Sequence, residues 1–250
     1  MKIIVNADDL GISDSVNDAI FDAMRRGVVT SATIIANGPC VEDAARRTKE
    51  FPTCSFGIHL NLTEFAPMNA ASCRDLKSIL NQENRFNGNS VREVPMTAAM
   101  LRAVFREWCQ QIEALLRLGV DLSHFDAHHH VHTIPQMLPV LLALKRRYKI
   151  SKIRISRNLY QNNEHPSRIL LAKKRAFNWT LRVMGFRTTR LFTDLETFLK
   201  VCGRRPPVAN TVELMTHPGY SPRDVETVLL ESYWPSSLPY EVALISYTNL

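Results

Sequence analysis

Four apolar, strand-like runs in this chain each stop at a carboxylate or an imidazole. I-I-V-N-A-D-D ends on Asp8 and Asp9, and F-G-I-H-L carries His59. L-S-H-F-D-A-H-H-H-V-H carries Asp126, His128, His130 and His132, and V-E-L-M-T-H-P-G carries His217. Only His165 lies outside these clusters. Histidine is the commonest metal ligand and the side chain best suited to proton transfer near neutral pH. The fold must therefore bring several strand ends to one place. A parallel (β/α) barrel does this, because its active-site residues come from the C-terminal ends of many strands. A doubly wound sheet gathers ligands at a single switch point instead. The first turn, N-A-D-D-L-G-I-S, also lacks a G-x-G-x-x-G fingerprint. The pattern points to a metal-dependent hydrolase.

The periodicity supports an α/β fold. It predicts strands over 2–7, 28–36, 54–62, 122–126, 152–156 and 211–215. Between them it predicts helices over 14–26 (Ser13 as N-cap), 40–50, 97–118, 136–148, 166–185 and 222–232. Residues 64–95 read as an irregular stretch, of the kind that forms a binding loop or lid. Strand alternating with helix predicts a parallel sheet, and 250 residues suit one domain over 1–250.

No run approaches the ~20 apolar residues of a membrane span. The apolar start meets acid too soon for a signal peptide. Cys40, Cys54, Cys73, Cys109 and Cys202 are odd in number and form no C-x-x-C pair, which fits reduced thiols in the cytoplasm. Charge is uneven. Residues 145–190 hold fourteen Lys/Arg and one acid, Glu164, while the whole chain is only +7. Such a segment could meet an anionic glycan, a membrane surface or nucleic acid. No recognised motif supports nucleic acid. The helix over 166–185 has two readings. It is either an outer barrel helix with its apolar face in the core, or a peripheral membrane contact.

Asp8 and Asp9 are adjacent. At a strand end that turns, one can bind a metal while the other faces the water it activates; the plainer reading is a helix cap or surface pair. His59 sits among apolar neighbours, where a satisfied core histidine is the alternative. D-A-H-H-H-V-H is the strongest signal. On an extended segment Asp126, His128, His130 and His132 share one face. They cannot all bind one ion, so the remainder are expected to orient ligands or meet substrate. His217 precedes a turn and has a simple loop reading. Arg154, at the end of its own strand, is placed to orient Asp8 or meet substrate.

N-A-D-D-L-G (6–11), T-S-A-T-I-I-A-N-G-P (30–39), G-I-H-L-N-L-T (57–63), H-F-D-A-H-H-H-V-H (124–132) and E-L-M-T-H-P-G (213–219) resemble the YdjC-like carbohydrate deacetylases. The resemblance implies a distorted TIM-like barrel holding one divalent ion, commonly magnesium. It places the metal ligands on Asp9, His59 and His128, the base on Asp8 and the acid on His217. Asp126, His130, His132 and Arg154 are left as substrate or supporting residues. The implied reaction removes N-acetyl groups from an amino sugar. Family members usually continue beyond P-Y-E-V-A-L-I-S (239–246) with another helix and strand, so the last barrel element is expected to be missing or rebuilt. Rival readings are a metal-dependent phosphoesterase or amidohydrolase, from the H-x-H pair, and a non-catalytic carbohydrate-binding protein. A homodimer is left open.

Overall fold

The apolar run Ile3–Ile4–Val5 lies at the centre of a parallel sheet in a computed structural model that describes residues 1–68, 71, 73–220, 225–232 and 234–250. The strands are β1 (Lys2–Leu10), β2 (Ser31–Ile34), β3 (Ser55–Leu60), β4 (Leu122–Ala127), β5 (Lys152–Ile153), β6 (Leu191–Asp194) and β7 (Thr211–Thr216). They are ordered β5-β4-β3-β2-β1-β7-β6, and every pair is parallel. Backbone bonds link each end strand to a segment flanking the other. Ile153 N donates to Arg187 O (3.1 Å), Arg187 N to Ser151 O (2.8 Å) and Asn158 N to Phe192 O (3.2 Å). The sheet thus curls into the expected TIM-like barrel.

Around it pack α1 (Asp14–Arg25), α2 (Val41–Arg47), α3 (Ala98–Arg117), α4 (Leu138–Tyr148), α5 (Arg168–Val183), α6 (Leu195–Cys202) and α7 (Val225–Glu231). Side-chain caps fix several starts: Ser13, Thr97, Ser167 and Asp194 each accept a backbone N–H from the first turn of their helix. The helical stripes face the core as their spacing requires, with Val16, Ile20 and Met24 buried on α1 and Met100, Val104, Trp108, Ile112 and Leu115 buried on α3. Among the described residues no helix is long and apolar enough to cross a membrane.

Several elements differ from the sequence reading. β5 is two residues, not five, because Asn178 of α5 takes over the backbone of Ser156: its Oδ1 accepts from Ser156 N and its Nδ2 donates to Ser156 O. β6 and α6 occupy a stretch for which no element was expected. L-F-T-D is only four residues, too short for a clear alternation, although Asp194 before L-E-T-F-L is a recognisable N-cap. The expected irregular stretch 64–95 consists of short turns whose Leu76, Ile79, Phe86 and Val91 enter the core; residues 69, 70 and 72 lie outside the described residues. Of the helix expected over 222–232, residues 222–224 lie outside them too, and α7 covers 225–231.

Where a missing or rebuilt last element was expected, a two-residue β8 (Ala243–Leu244) pairs with Lys2 and Ile3 of β1. Tyr247 then enters the barrel floor. Its ring stacks on His124 at 3.7 Å, and its backbone N–H donates to Ser55 Oγ. On its other side His124 lies against Gly57, where an added Cβ would come within 2.6 Å of the ring. Position 57 therefore admits only glycine while His124 stays in place.

Candidate functional site

On an extended strand Asp8 and Asp9 would point to opposite faces. Asp9 instead adopts φ 67°, in the left-handed region, and the β1–β2 register slips between Ala7 and Leu10. That conformation costs a non-glycine residue on the order of 1–3 kcal/mol and persists where surrounding contacts hold it. Its effect is to present both carboxylates at the barrel mouth, one to each of two side-chain clusters.

Asp9 belongs to the first cluster. Its Oδ1 is 2.7 Å from His128 Nδ1 and 3.2 Å from His59 Nε2, and Tyr220 donates its hydroxyl to Oδ2 at 2.7 Å. Oδ1 is buried, yet neither imidazole approach to it has the angles of a hydrogen bond. His59 Nδ1 contacts Asp126 Oδ1 at 2.6 Å, so with Nδ1–H donating, Nε2 turns its lone pair to Asp9. Asp9, His59 and His128 offer ligand atoms within 4.8 Å of one another. An orphaned carboxylate oxygen converging with two imidazoles is a donor set for a divalent ion. Charge agrees. Asp8, Asp9, Asp126 and Glu213 are all buried, and among the described residues the only buried permanent counter-charge is the Arg154 guanidinium. With no ion, burial opposes charging His59, but Asp126, Asp9 and Asp8 outweigh it and raise the imidazole to about 10. Burial likewise raises Asp9, yet His128 and His59 hold it well below the carboxylate range.

Arg154 organises the second cluster from the end of β5. Its NH1 and NH2 donate to Asp8 Oδ2 and Oδ1 at 2.6 and 2.7 Å, NH1 also reaches Asp126 Oδ2 at 2.7 Å, and Nε donates to Glu213 Oε1 at 2.7 Å. Asn6 Nδ2 donates to Asp8 Oδ1 (2.9 Å), and Thr33 Oγ1 donates to Asp126 Oδ2 (3.0 Å). Tyr247 donates its hydroxyl to Glu213 Oε2. Burial would raise Asp8, but Arg154 overcomes it and holds the carboxyl far below its usual range. Glu213 has only one edge of the guanidinium, so burial dominates and lifts it to about 7. The basic segment is thus not a uniform patch: Arg154 is its buried member, and Arg157 is paired with Glu164 and Asp194.

His217, just beyond β7, places Nε2 4.0 Å from Asp8 Oδ2. Glu226 of α7 holds it from behind: Oε2 accepts the His217 backbone N–H at 2.8 Å and lies 3.5 Å from Nδ1. Burial opposes its charge, but Glu226 and Asp8 raise the imidazole to about 9. The clusters open into a cavity of about 400 Å³ lined by Asp8, Asp9, His59, His128 and His217.

The alternating face expected for 126–132 does not form. β4 ends at Ala127, and His129 and His130 take φ of 50° and 54°, so the chain coils instead of extending. His128 enters the cluster. His130 lines the cavity edge-on to Phe192, while burial and then Arg154 depress it to about 3. His132 is not at the cavity; it is buried, with Nε2 3.2 Å from the Arg154 carbonyl. Glu64, Tyr220, Glu213 and Glu226 were missed in the sequence. Glu64 and Tyr220 each follow closely on a motif, G-I-H-L-N-L-T and T-H-P-G, which was the available signal. Glu64 Oε1 stands 3.4 Å from His128 Nε2.

The chain is similar to known proteins. A carbohydrate deacetylase of Brevibacillus brevis is 33% identical over 255 residues, covering 100% of this chain and 93% of that protein. A carbohydrate deacetylase of Oceanobacillus iheyensis is 31% identical over 228 residues, covering 90% and 89%. A crystal structure from Enterococcus faecalis V583, provisionally described as a cellobiose-phosphate cleavage protein, superposes with a TM-score of 0.77 at 26% identity, covering 99% of this chain and 98% of that one. The family model of the YdjC-like proteins matches residues 2–236, nearly the whole chain. With the barrel, the strand-end residues and these relatives in agreement, the chain belongs to the YdjC-like family.

Proposed function

We propose that this protein is a metal-dependent carbohydrate deacetylase that hydrolyses the N-acetyl group of an amino sugar, with residues 1–250 acting as one domain. One relationship carries the reading. Asp8 Oδ2 stands 4.0 Å from His59 Nε2, on the metal cradle, and 4.0 Å from His217 Nε2. A base is thus set between the place where a water would be activated and the group that would protonate the leaving amine.

Asp9, His59 and His128 would hold a divalent ion, which when bound lowers the pKa of a water and polarises the acetamide carbonyl. Asp8 accepts that water's proton. Arg154 keeps Asp8 ionised at every working pH and fixes both oxygens, so orientation is settled before substrate arrives. A carboxylate held so low is a weak base, which suffices when the water is already acidified. The oxygen of that water adds to the acetyl carbonyl carbon. His217, cationic at neutral pH, gives its proton to the nitrogen as the C–N bond breaks, leaving acetate and a free amine. Asp126 holds His59 in the ligating tautomer. His130, kept neutral, can offer the sugar a donor or acceptor.

Magnesium is the ion the family resemblance implies, and two imidazoles suit zinc or a similar ion by softness; elemental analysis of protein purified without added metal decides. Cys40, Cys54, Cys109 and Cys202 stand as free thiols, which supports a reducing, cytoplasmic setting. The test is acetate release from N-acetylglucosamine oligomers, metal-loaded against chelated. Metal-dependent acetate supports the assignment. Absence of acetate from any acetylated sugar returns weight to a phosphoesterase or a binding-only protein.

A further inference from the structure

An outer barrel helix ordinarily buries one apolar face and turns polar side chains to water. α5 is apolar on both sides. Phe177 and Leu181, with Asn178, face the core. On the opposite side Ile169, Ala172, Ala176, Trp179 and Val183 recur at alternating steps of three and four, and all are exposed. Ile169, Trp179 and Val183 expose 70, 64 and 63% of their surface. Leu170, 43% exposed, widens the stripe at its first turn.

Charge borders the stripe. Arg168, Arg175 and Arg182 recur seven apart along one side, and Lys173 lies on the other. From His165 to Arg190 there are seven Lys/Arg and no acid. Arg182 is tied to Thr188 and Thr189, whereas Arg168, Lys173 and Arg175 form no ion pair among the described residues. A second copy docking stripe to stripe would bring these rows of cations together, which argues against self-association. A sheet of anionic headgroups over an apolar layer matches both the charge and the stripe. An exposed tryptophan between them is the side chain that anchors at such a boundary.

We propose that α5 docks this protein on an anionic lipid surface, with Ile169, Trp179 and Val183 entering the interface and Arg168, Lys173 and Arg175 meeting headgroups. The docking needs no catalytic turnover, so it stands or falls apart from the deacetylase reading. It has a consequence for the site. Lys174, on the inner side of α5, lines a cavity of about 190 Å³ together with Arg157 and with His130, which also lines the catalytic cavity, so the thickness of α5 separates that edge of the site from a docked surface.

The full chain carries its own reporter. Trp108 and Trp234 are buried, leaving Trp179 as the exposed tryptophan. The experiment is titration with phosphatidylcholine vesicles, with and without phosphatidylglycerol, read by tryptophan emission and by co-sedimentation. The expected result is a blue shift and pelleting with anionic vesicles, weakened by high salt. Each basic residue contributes about five-fold to partitioning, so Arg168→Ala, Lys173→Ala and Arg175→Ala together weaken it about 100-fold. Trp179→Gln should remove the shift and Ile169→Gln with Val183→Gln the pelleting, while acetate release from a soluble sugar stays unchanged. Equal binding to neutral and anionic vesicles, or none to either, overturns the proposal. So does vesicle-free dimerisation lost in Trp179→Gln, which would assign the stripe to a second copy, or capture of α5 by a soluble acidic peptide with no vesicle binding.

Discussion

Arg154 grips both carboxylate oxygens of Asp8, at 2.6 and 2.7 Å, with the guanidinium and the carboxylate both buried. The same cation also reaches Asp126 and Glu213. Removing it leaves three buried acids with no permanent counter-charge. Arg154→Met is therefore expected to destabilise the fold by about 3–5 kcal/mol. Arg154→Lys keeps the charge but loses the planar fork, so it should retain more stability than Met yet lose turnover. Urea denaturation alongside acetate release checks both; a stable, active Arg154→Lys would show that the fork does not matter.

Asp8→Asn should lower kcat by about 10²–10⁴-fold, the usual contribution of a general base. Metal affinity should be preserved, because Arg154 already holds both oxygens of Asp8 while Asp9, His59 and His128 form the proposed cradle. Isothermal titration with the divalent ion is the decisive reading. Loss of binding in this variant would make Asp8 a ligand and reassign the base.

The cradle also predicts proton release. His59 is raised to about 10, so it is cationic at neutral pH in the ion-free protein. An imidazole must be neutral to ligate, so metal binding at pH 7.5 should expel its proton. Titration in buffers of differing ionisation enthalpy measures the number released, and a value near zero would show that His59 carries no proton for the ion to displace. An ion present at about 100 times its Kd should add ~2.7 kcal/mol of stability, and His59→Ala should abolish that gain.

His217 sets a limit on the alkaline side. Its pKa is raised to about 9, so the acid form it needs is present through neutral pH and lost above about 9. Rate should fall on that limb. Glu226→Gln removes the carboxylate beside Nδ1, lowers the His217 pKa and moves the limb toward neutral. A pH–kcat profile unmoved by that substitution would assign the limb to another group.

Gly57→Ala tests the floor of the site. The new methyl would meet the His124 ring, which is sandwiched against Tyr247. Displacing that stack also disturbs the Tyr247 hydroxyl that satisfies Glu213. A loss of about 1–3 kcal/mol is expected, the range for overpacking a tight core. Thermal unfolding checks it, and an unchanged midpoint would mean that His124 has room to move.

The barrel and the strand ends at which chemistry collects are legible from residue order alone. Parallel strands buried on both faces must be apolar throughout, so the polar residues that interrupt them at Asp8, Asp9, His59, Asp126 and His217 are legible as a site before any contact is known. Helix caps such as Ser13 and Thr97 were legible for the same local reason. What tertiary structure alone decided is how those ends are used. The left-handed turns at Asp9, His129 and His130 cannot be read from residue type, and they send Asp8 and Asp9 to different partners and break the alternation after His128. Arg154 is legible in the sequence as a residue placed to orient Asp8 or meet substrate, but its grip on Asp126 and Glu213 is not. Only the packing of β1, β4 and β7 around it placed Asp8, Asp126 and Glu213 on one guanidinium, because residues 28 to 146 positions apart meet through the barrel's closure and not through sequence spacing.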